Sequence, residues 1–424
     1  MHSEVGRLRT VIVHRPDISL ERLTSGNHDD LLFDDLPRVE DAQREHDAFV
    51  ALLRERGVEV LYHQDLLAEA LDADPRARLR AVERTVNDLT VGPVLVDTVR
   101  AQLESWPGAR LARHLVGGLM AAELDLEGGS AGRGDSLVGA AGAPSGLILP
   151  PLPNSLFQRD PAAWLYGGVC LNPLFWHARR RETLNQWLIY RFHPRFAGAG
   201  FEFWYPPDGA LADAEEEDFG GASIEGGDMM PIGAGTVVIG IGERTTASMV
   251  EKVALSMFGK GAATRVIAVA LPSVRAYMHL DTVFTFLDVD KVTAYRPVMD
   301  AAPAYSLRPG SADGTLDVHP EPSFFGAVAD ALGLASLEVV PTGGDEHEQV
   351  REQWGSANNV LAVEPGVVIG YGKNRRTNRA IAARGVEVLE IDGAELGKGR
   401  GGARCLTCPV LRDASEALVA LDRG

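Results

Sequence analysis

Along the chain, stretches with apolar residues at three-to-four spacing alternate with short runs rich in valine, isoleucine and aromatic residues. The first spacing is that of a helix with one buried face, and the second composition favours strands. One order recurs: a helical stretch ends at a glycine or a turn, and a β-rich run follows at once. It occurs over residues 40–63, 181–205, 245–271, 323–342 and 376–391. The hexapeptide RGVEVL stands at this junction twice, from Arg56 and from Arg384. Glycine is a usual stop after the last helical turn because it accepts a left-handed backbone. Further β-rich segments, starting at Thr10, Ala162, Gly235, Thr282 and Val367, precede these units. Five diverged copies of a strand–strand–helix–strand unit predict a radial, repeat-built α/β architecture.

The gap between the first and second units is far longer than the others. Its first half, LLAEALDADPRARLRAVERTV and VGPVLVDTVRAQLESW, and then RLARHLVGGLMAAEL read as amphipathic helices. Its end, GGSAGRGDSLVGAAGAPSG, reads as a glycine- and serine-rich loop, in which the RGD at Arg133 carries no meaning. We therefore expect a helical subdomain over residues 66–149, inserted into an α/β domain made of residues 1–65 and 150–424.

Composition narrows the class. At 424 residues, 45% hydrophobic and 24% charged, the chain has the make-up of a globular protein. It has no apolar run long enough to span a bilayer, and its first residues, MHSEVGRLRT, lack the apolar core of a secretory signal. The three cysteines, Cys170, Cys405 and Cys408, are too few for a disulfide framework and fit a reducing compartment, so a cytoplasmic location is expected. A net charge of −18 repels nucleic acid and anionic membrane, so neither is expected as a partner.

Candidate chemistry sits in four local clusters. LPNSLFQRDP is a proline-bounded turn carrying Asn154, Phe157 and Asp160. SIEGGDMM sets Glu225 and Asp228 around a Gly-Gly pair, where backbone can approach a ligand closely. MHLDTVFTFL reads as the start of a strand, whose alternation places His279 and Asp281 on one face. GKGRGGARCLTCP is a glycine-rich loop that delivers Cys405. Cys405 and Cys408 form a CxxC, but no second CxxC completes a zinc site and no thioredoxin pattern surrounds the pair. No phosphate-binding loop or nicotinamide fingerprint occurs. Cysteine with histidine suits nucleophilic catalysis. Carboxylates beside them raise a thiol's pKa and repel anions, but they suit a cation such as a guanidinium, which pairs bidentately with carboxylates.

These motifs together resemble those of the arginine deiminases, enzymes of the guanidine-modifying (pentein) superfamily. The resemblance runs in one order from VGRLRTVIVHRP through LLFDDLP, LPNSLFQRDP, IEGGDMMPIG, ERTTASMVEKVA and MHLDTVF to SANNVLAVEPGVVIGY, NRRTNRAI and GGARCLTCPVLRD. It implies a five-bladed, pseudo-symmetric α/β propeller with an inserted α-helical subdomain, and no metal or cofactor. It implies hydrolysis of L-arginine to L-citrulline and ammonia through a covalent adduct on Cys405. Cys405 then matches the nucleophile and His279 the general acid/base. Asp160 and Asp281 match the carboxylates that grip the guanidinium, and Glu225 an assisting carboxylate. Arg179, Arg244 and Arg400 match the arginines that meet the substrate's α-carboxylate or order the loop over it, with Arg180 and Arg181 adjoining the first. Asn154 and Phe157 match residues lining the substrate's backbone end, and Asp228 belongs to the motif. Arg404 adds a positive charge directly before the nucleophile, either lowering its pKa or facing solvent. The alternatives are a sister enzyme (agmatine deiminase, dimethylarginine hydrolase or an amidinotransferase) and a non-catalytic arginine-binding protein. The three arginines favour a substrate with an α-carboxylate. Homo-oligomerisation is the base expectation for a metabolic enzyme.

Overall fold

The computed structural model describes residues 1–124, 136–137, 146–209 and 221–414. Most of the glycine- and serine-rich stretch after residue 127, with Arg133, lies outside the described residues.

The chain is a mixed α/β protein in which one local topology recurs five times. In each unit an outer strand pairs antiparallel with a middle strand. The middle strand feeds a helix, which returns the chain to a third strand parallel to the middle one. The second unit consists of Ala162–Leu165, Gly168–Leu171, helix Arg180–Phe192 and Glu202–Tyr205. The third consists of Met229–Gly233, Thr236–Ile241, helix Ala247–Gly259 and Arg265–Ala270. A hairpin of Ala304–Pro309 and Leu316–Glu321 extends this sheet to five strands. The fourth consists of Phe284–Phe286, Lys291–Ala294, helix Phe324–Ala331 and Glu338–Pro341. The fifth consists of Leu361–Glu364, Val367–Tyr371, helix Arg375–Ala382 and Glu387–Ile391.

The first unit is assembled from both ends of the chain. Its middle strand Leu8–Val13, helix Val39–Glu55 and third strand Glu59–Tyr62 are local, but its outer strand is Cys408–Arg412. Pattern reading finds the local part and cannot see the pairing. All five helix-to-strand junctions fall where the sequence places them. Along Val39–Glu55, Ala42, Glu45, His46, Phe49, Val50 and Leu53 are buried, a three-to-four stripe facing the sheet. The repeated RGVEVL makes the same exit twice, with Gly57 at φ +75° and Gly385 at φ +79°.

The long first gap holds helices His63–Ala73, Pro75–Thr85, Val96–Ser105 and Gly108–Gly117. Their apolar stripes, including Leu67, Leu71, Val82, Val99, Leu111 and Leu115, join Leu188 and Tyr190 of the second unit's helix in one core. The expected helix over residues 110–124 stops early. The chain turns at Gly118, φ +78°, and Leu119–Met120 pairs with Leu147–Leu149. A side chain at Gly118 would meet the Leu149 carbonyl oxygen at 2.6 Å, so the glycine permits the turn. Among the described residues, no helix is long and apolar enough to cross a membrane.

Candidate active site

Each unit contributes a turn just ahead of its outer strand. Asp160 precedes Ala162–Leu165, Glu225 and Asp228 precede Met229–Gly233, and His279 and Asp281 precede Phe284–Phe286. Asn359 precedes Leu361–Glu364, and Cys405 precedes Cys408–Arg412. Hydrogen bonds join the five turns in a closed ring. Arg159 N–H donates to the Cys405 carbonyl (3.1 Å) and Gly226 N–H to the Asp160 carbonyl (3.0 Å). Leu280 N–H donates to Asp228 Oδ1 (2.7 Å), Asn359 Nδ2 to the Asp281 carbonyl (3.1 Å) and Cys405 N–H to Asn359 Oδ1 (3.1 Å). Repetition of the unit is thus what brings together residues up to 245 positions apart, Asp160 and Cys405.

A pocket opens onto Cys405. Asn154, Phe157, Asp160, Arg179, Arg244, His279 and Arg400 line it, with Leu32 and Met278. Of the expected site residues, Glu225, Asp228 and Asp281 are fully buried and do not line it. Asp228 is consumed inside the protein, accepting from Leu280 N–H and from the Thr245 hydroxyl (2.6 Å). Burial pushes its carboxyl up to about 7.

The segment with His279 and Asp281 differs from the expected strand. His279 is extended, but Leu280–Thr282 is a 3-10 turn and the strand starts at Phe284. Asp228 pins the Leu280 N–H, and the Thr282 and Val283 N–H groups donate back to His279 and Leu280 carbonyls. The two side chains therefore meet different partners. His279 Nε2 lies 2.6 Å from Glu225 Oε2, and Nδ1 lies 3.7 Å from Asp160 Oδ1. Asp281 Oδ2 accepts from Arg404 Nη1 at 2.8 Å and faces Cys405 Sγ at 3.5 Å. The Gly-Gly pair also serves another purpose than close approach to a ligand. A side chain at Gly226 would strike the Arg159 carbonyl at 2.0 Å, and one at Gly227 would strike the His279 ring at 2.5 Å.

The arginines separate by environment. Arg179 is buried, donating to Asp160 Oδ2 (2.8 Å) and bidentately to Glu182 (3.0 and 2.9 Å). Arg180 is exposed, and Arg181 reaches the carbonyls of Leu115 and Pro150, so Arg179 is the one of the three at the pocket. Arg244 Nη1 donates to Glu225 Oε2 at 3.4 Å. Arg400 lies over the Trp354 ring, 3.1 Å from its centroid, and donates to the Trp354 carbonyl at 3.0 Å. Asn154 donates to the Leu31 carbonyl at 2.7 Å, and the Phe157 ring stacks near Phe33. Arg404 neither faces solvent nor stands free beside the thiol: it is buried and paired with Glu4 and Asp281.

The site's charge state follows from these contacts. Burial pushes the Cys405 thiol up to about 11, Asp281 and Asp160 add to the rise, and His279 opposes it. Burial opposes charge on His279, but Asp160, Cys405 and Glu225 outweigh it and hold the imidazole protonated well above its ordinary range. Glu225 is held ionised despite its burial by Arg244, His279 and Arg179. The resting pair is a neutral thiol with an imidazolium.

Asp160, Glu225 and His279 could each offer one atom to a metal, all within 4.8 Å of one another. Arg179 and Arg244 already stand against these carboxylates and would repel a cation there. The CxxC pair diverges. Cys405 packs with Phe157 and Tyr371, whereas Cys408 packs with Tyr190 in a separate core and faces the Ala162 carbonyl. Pattern reading missed Asn359, which holds Cys405 from both backbone and sulfur (Nδ2 to Sγ 3.1 Å). Its position just ahead of the fifth outer strand, matching the other four turns, was the available signal.

The family model for arginine deiminase matches residues 29–412. The chain belongs to the arginine deiminase family. Solved structures agree on the fold. An amidinotransferase of saxitoxin biosynthesis from Microseira wollei superposes with a TM-score of 0.56 at 13% identity, covering 98% of this chain and 97% of that one. A dimethylarginine dimethylaminohydrolase from Pseudomonas aeruginosa, complexed with citrulline, gives 0.50 at 16% identity over 95% of this chain and 100% of that one. Membership of the family makes the chain a guanidine-modifying enzyme that acts on a C–N bond of a small molecule.

Proposed function

We propose that the protein is an arginine deiminase, hydrolysing L-arginine to L-citrulline and ammonia. One observation carries this reading. Asp160 Oδ1, at the pocket, and Asp281 Oδ1, on the carboxylate that faces Cys405 Sγ, are buried carboxylate oxygens without a hydrogen-bond partner. Buried unpaired acceptors are costly, and a planar cation with several donors satisfies both. The arginines and Asn154 at the same pocket suit the α-carboxylate of a free amino acid.

Binding of the guanidinium cancels the carboxylate charges that hold the thiol protonated, so the thiol gives up its proton to solvent and the thiolate forms when substrate arrives. Cys405 Sγ attacks the guanidinium carbon to give a tetrahedral adduct. The His279 imidazolium, oriented by Glu225, gives its proton to the departing nitrogen, and ammonia leaves. The adduct is then an S-alkylthiouronium. Neutral His279 takes a proton from water, hydroxide adds to the same carbon, and the C–S bond breaks as the added hydroxyl loses its proton to solvent, releasing citrulline and the thiolate.

The ring of five turns supports a five-bladed α/β propeller, with residues 66–149 as a helical subdomain inserted between the first and second blades.

The test is citrulline and ammonia release from arginine and agmatine side by side, with Cys405→Ala as control. Equimolar products from arginine alone, absent in the variant, are expected. Turnover of agmatine instead would move the protein to a sister activity and void the carboxylate role of the three arginines. Binding of arginine without turnover would favour a non-catalytic protein or a missing acceptor amine.

A further inference from the structure

Next to Cys405 in sequence, buried and outside the pocket lining, every donor of one guanidinium is engaged. Arg404 Nε donates to Glu4 Oε2 at 2.9 Å, and Nη2 donates to Glu4 Oε1 at 3.3 Å and to the Met229 carbonyl at 2.9 Å. Nη1 donates to Asp281 Oδ2 at 2.8 Å and to the Gly227 carbonyl at 3.3 Å. These are five contacts for the five N–H groups of an arginine, and a lysine has three. Arg404 is 1% exposed and Asp281 is fully buried. Arg404 thus ties together the third unit's turn, the fourth unit's turn and the segment of Glu4.

Asp281 sits against the nucleophile. Its Oδ2 faces the nucleophilic sulfur, and its Oδ1 is the free acceptor described above. The charged and titratable groups around it are Arg404, Arg159, Asp228 and Cys405. Arg159 is also turned toward Glu4, at 3.9 Å, so Arg404 is the cation in hydrogen-bonding contact with Asp281. A carboxylate hydrogen-bonded to a guanidinium that is itself fixed at every N–H is held in one orientation.

We propose that Arg404 is a positioning residue that holds Asp281 against the nucleophile and aimed at the substrate's guanidinium, and that Glu4 is the anchor that holds Arg404 in place. Asp281 then grips the substrate through Oδ1 while Arg404 occupies Oδ2. The sequence segment around Glu4, outside the stretch matched by the family model, is in this way part of the active site. This inference rests on the arginine deiminase reading for its substrate but not for its test.

The test compares Arg404→Met, Arg404→Lys and Glu4→Gln with the unsubstituted 424-residue chain. The second and third variants keep the proposal open to refutation should the first fail to fold. Two measurements are made. The first is kcat and KM for arginine across pH 5–9. The second is the pH dependence of Cys405 alkylation by iodoacetamide without substrate, which needs no turnover. In the variants Asp281 is no longer held in one orientation. KM is expected to rise at least about tenfold, more than kcat falls. The alkylation midpoint is expected to move down, because the Asp281 carboxylate that raises the thiol is no longer fixed against the sulfur. A uniform loss of kcat with KM and alkylation midpoint unchanged would make Arg404 merely structural and overturn the proposal. An alkylation midpoint that moves up would overturn it as well, since Asp281 would then have stayed against the sulfur unaided. Wild-type protein that does not consume arginine would sink the deiminase reading alone, and the alkylation midpoints would still decide the role of Arg404.

Discussion

Asn359 clasps Cys405 on two sides, its Oδ1 accepting the Cys405 N–H at 3.1 Å and its Nδ2 donating to Sγ at 3.1 Å. The first bond fixes the turn that carries the nucleophile. The second strengthens as negative charge develops on sulfur, because a hydrogen bond to an ion is stronger than one to a neutral group. Asn359→Asp keeps the shape, removes the donor and adds a negative charge beside the sulfur. The midpoint for iodoacetamide alkylation should move up, and kcat should fall about 10- to 100-fold. An unchanged midpoint would show that the amide only shapes the turn.

Alkylation of the free enzyme should keep accelerating above pH 9, since the Cys405 thiol is pushed up to about 11 by burial, Asp281 and Asp160. Asp160→Asn removes one of the raising charges, so its midpoint should fall below the wild-type value. The same variant should lose arginine turnover, because the unpaired Oδ1 at the pocket is gone. A wild-type midpoint at the ordinary cysteine value would refute the neutral resting thiol.

Gly227→Ala should be nearly inactive though folded. An added methyl would lie 2.5 Å from His279 Nδ1, and the backbone at 227 has no positive φ to strain. The ring must swing away from Glu225. A displacement of about 1 Å costs roughly 100-fold in kcat. Steady-state kinetics with a thermal midpoint on the same sample separate this from unfolding.

Acid should weaken the fold through a histidine cluster in the first unit. His46 and His63 are buried, with unpartnered ring nitrogens, and His14 lies against His63 at 5.7 Å between ring centroids. Burial lowers both His46 and His63 to about 3. Their folded values lie below the unfolded value of about 6.5, so the stability they permit is complete above that pH and is lost as pH falls from 6.5 toward 3. At pH 5 each contributes roughly 2 kcal/mol to the loss. Asp228 acts in the opposite sense, since its folded value of about 7 favours the folded state in acid. Denaturant titrations from pH 8 to 4 should show a shallower decline for His46→Leu than for wild type, and parallel curves would contradict this account.

Much of the fold was legible because its elements are local. The helix stripe from Ala42 to Leu53 and the glycine exits at Gly57 and Gly385 are set by residues within a few positions of one another. The helix expected through Leu124 failed because long-range pairing of Leu119–Met120 with Leu147–Leu149 outweighed a local apolar spacing. The placement of His279 and Asp281 on one strand face failed for a similar reason. A bond from Asp228, 52 positions away, turns the backbone at Leu280.

By itself the sequence determined the repeating unit, the family and the residue types of the site, because periodicity, glycine stops and linear motifs are short-range properties. It also placed Cys405, His279 and Asp160 at the ends of elements. Only the tertiary structure decided who faces whom: that Cys408–Arg412 completes the sheet of Leu8–Val13, that Arg179 rather than Arg180 or Arg181 reaches the pocket, and that Arg404 turns inward to Glu4 and Asp281. Such pairings depend on distances between residues hundreds of positions apart, and these arise only in the folded chain, where hydrogen bonds join the five turns.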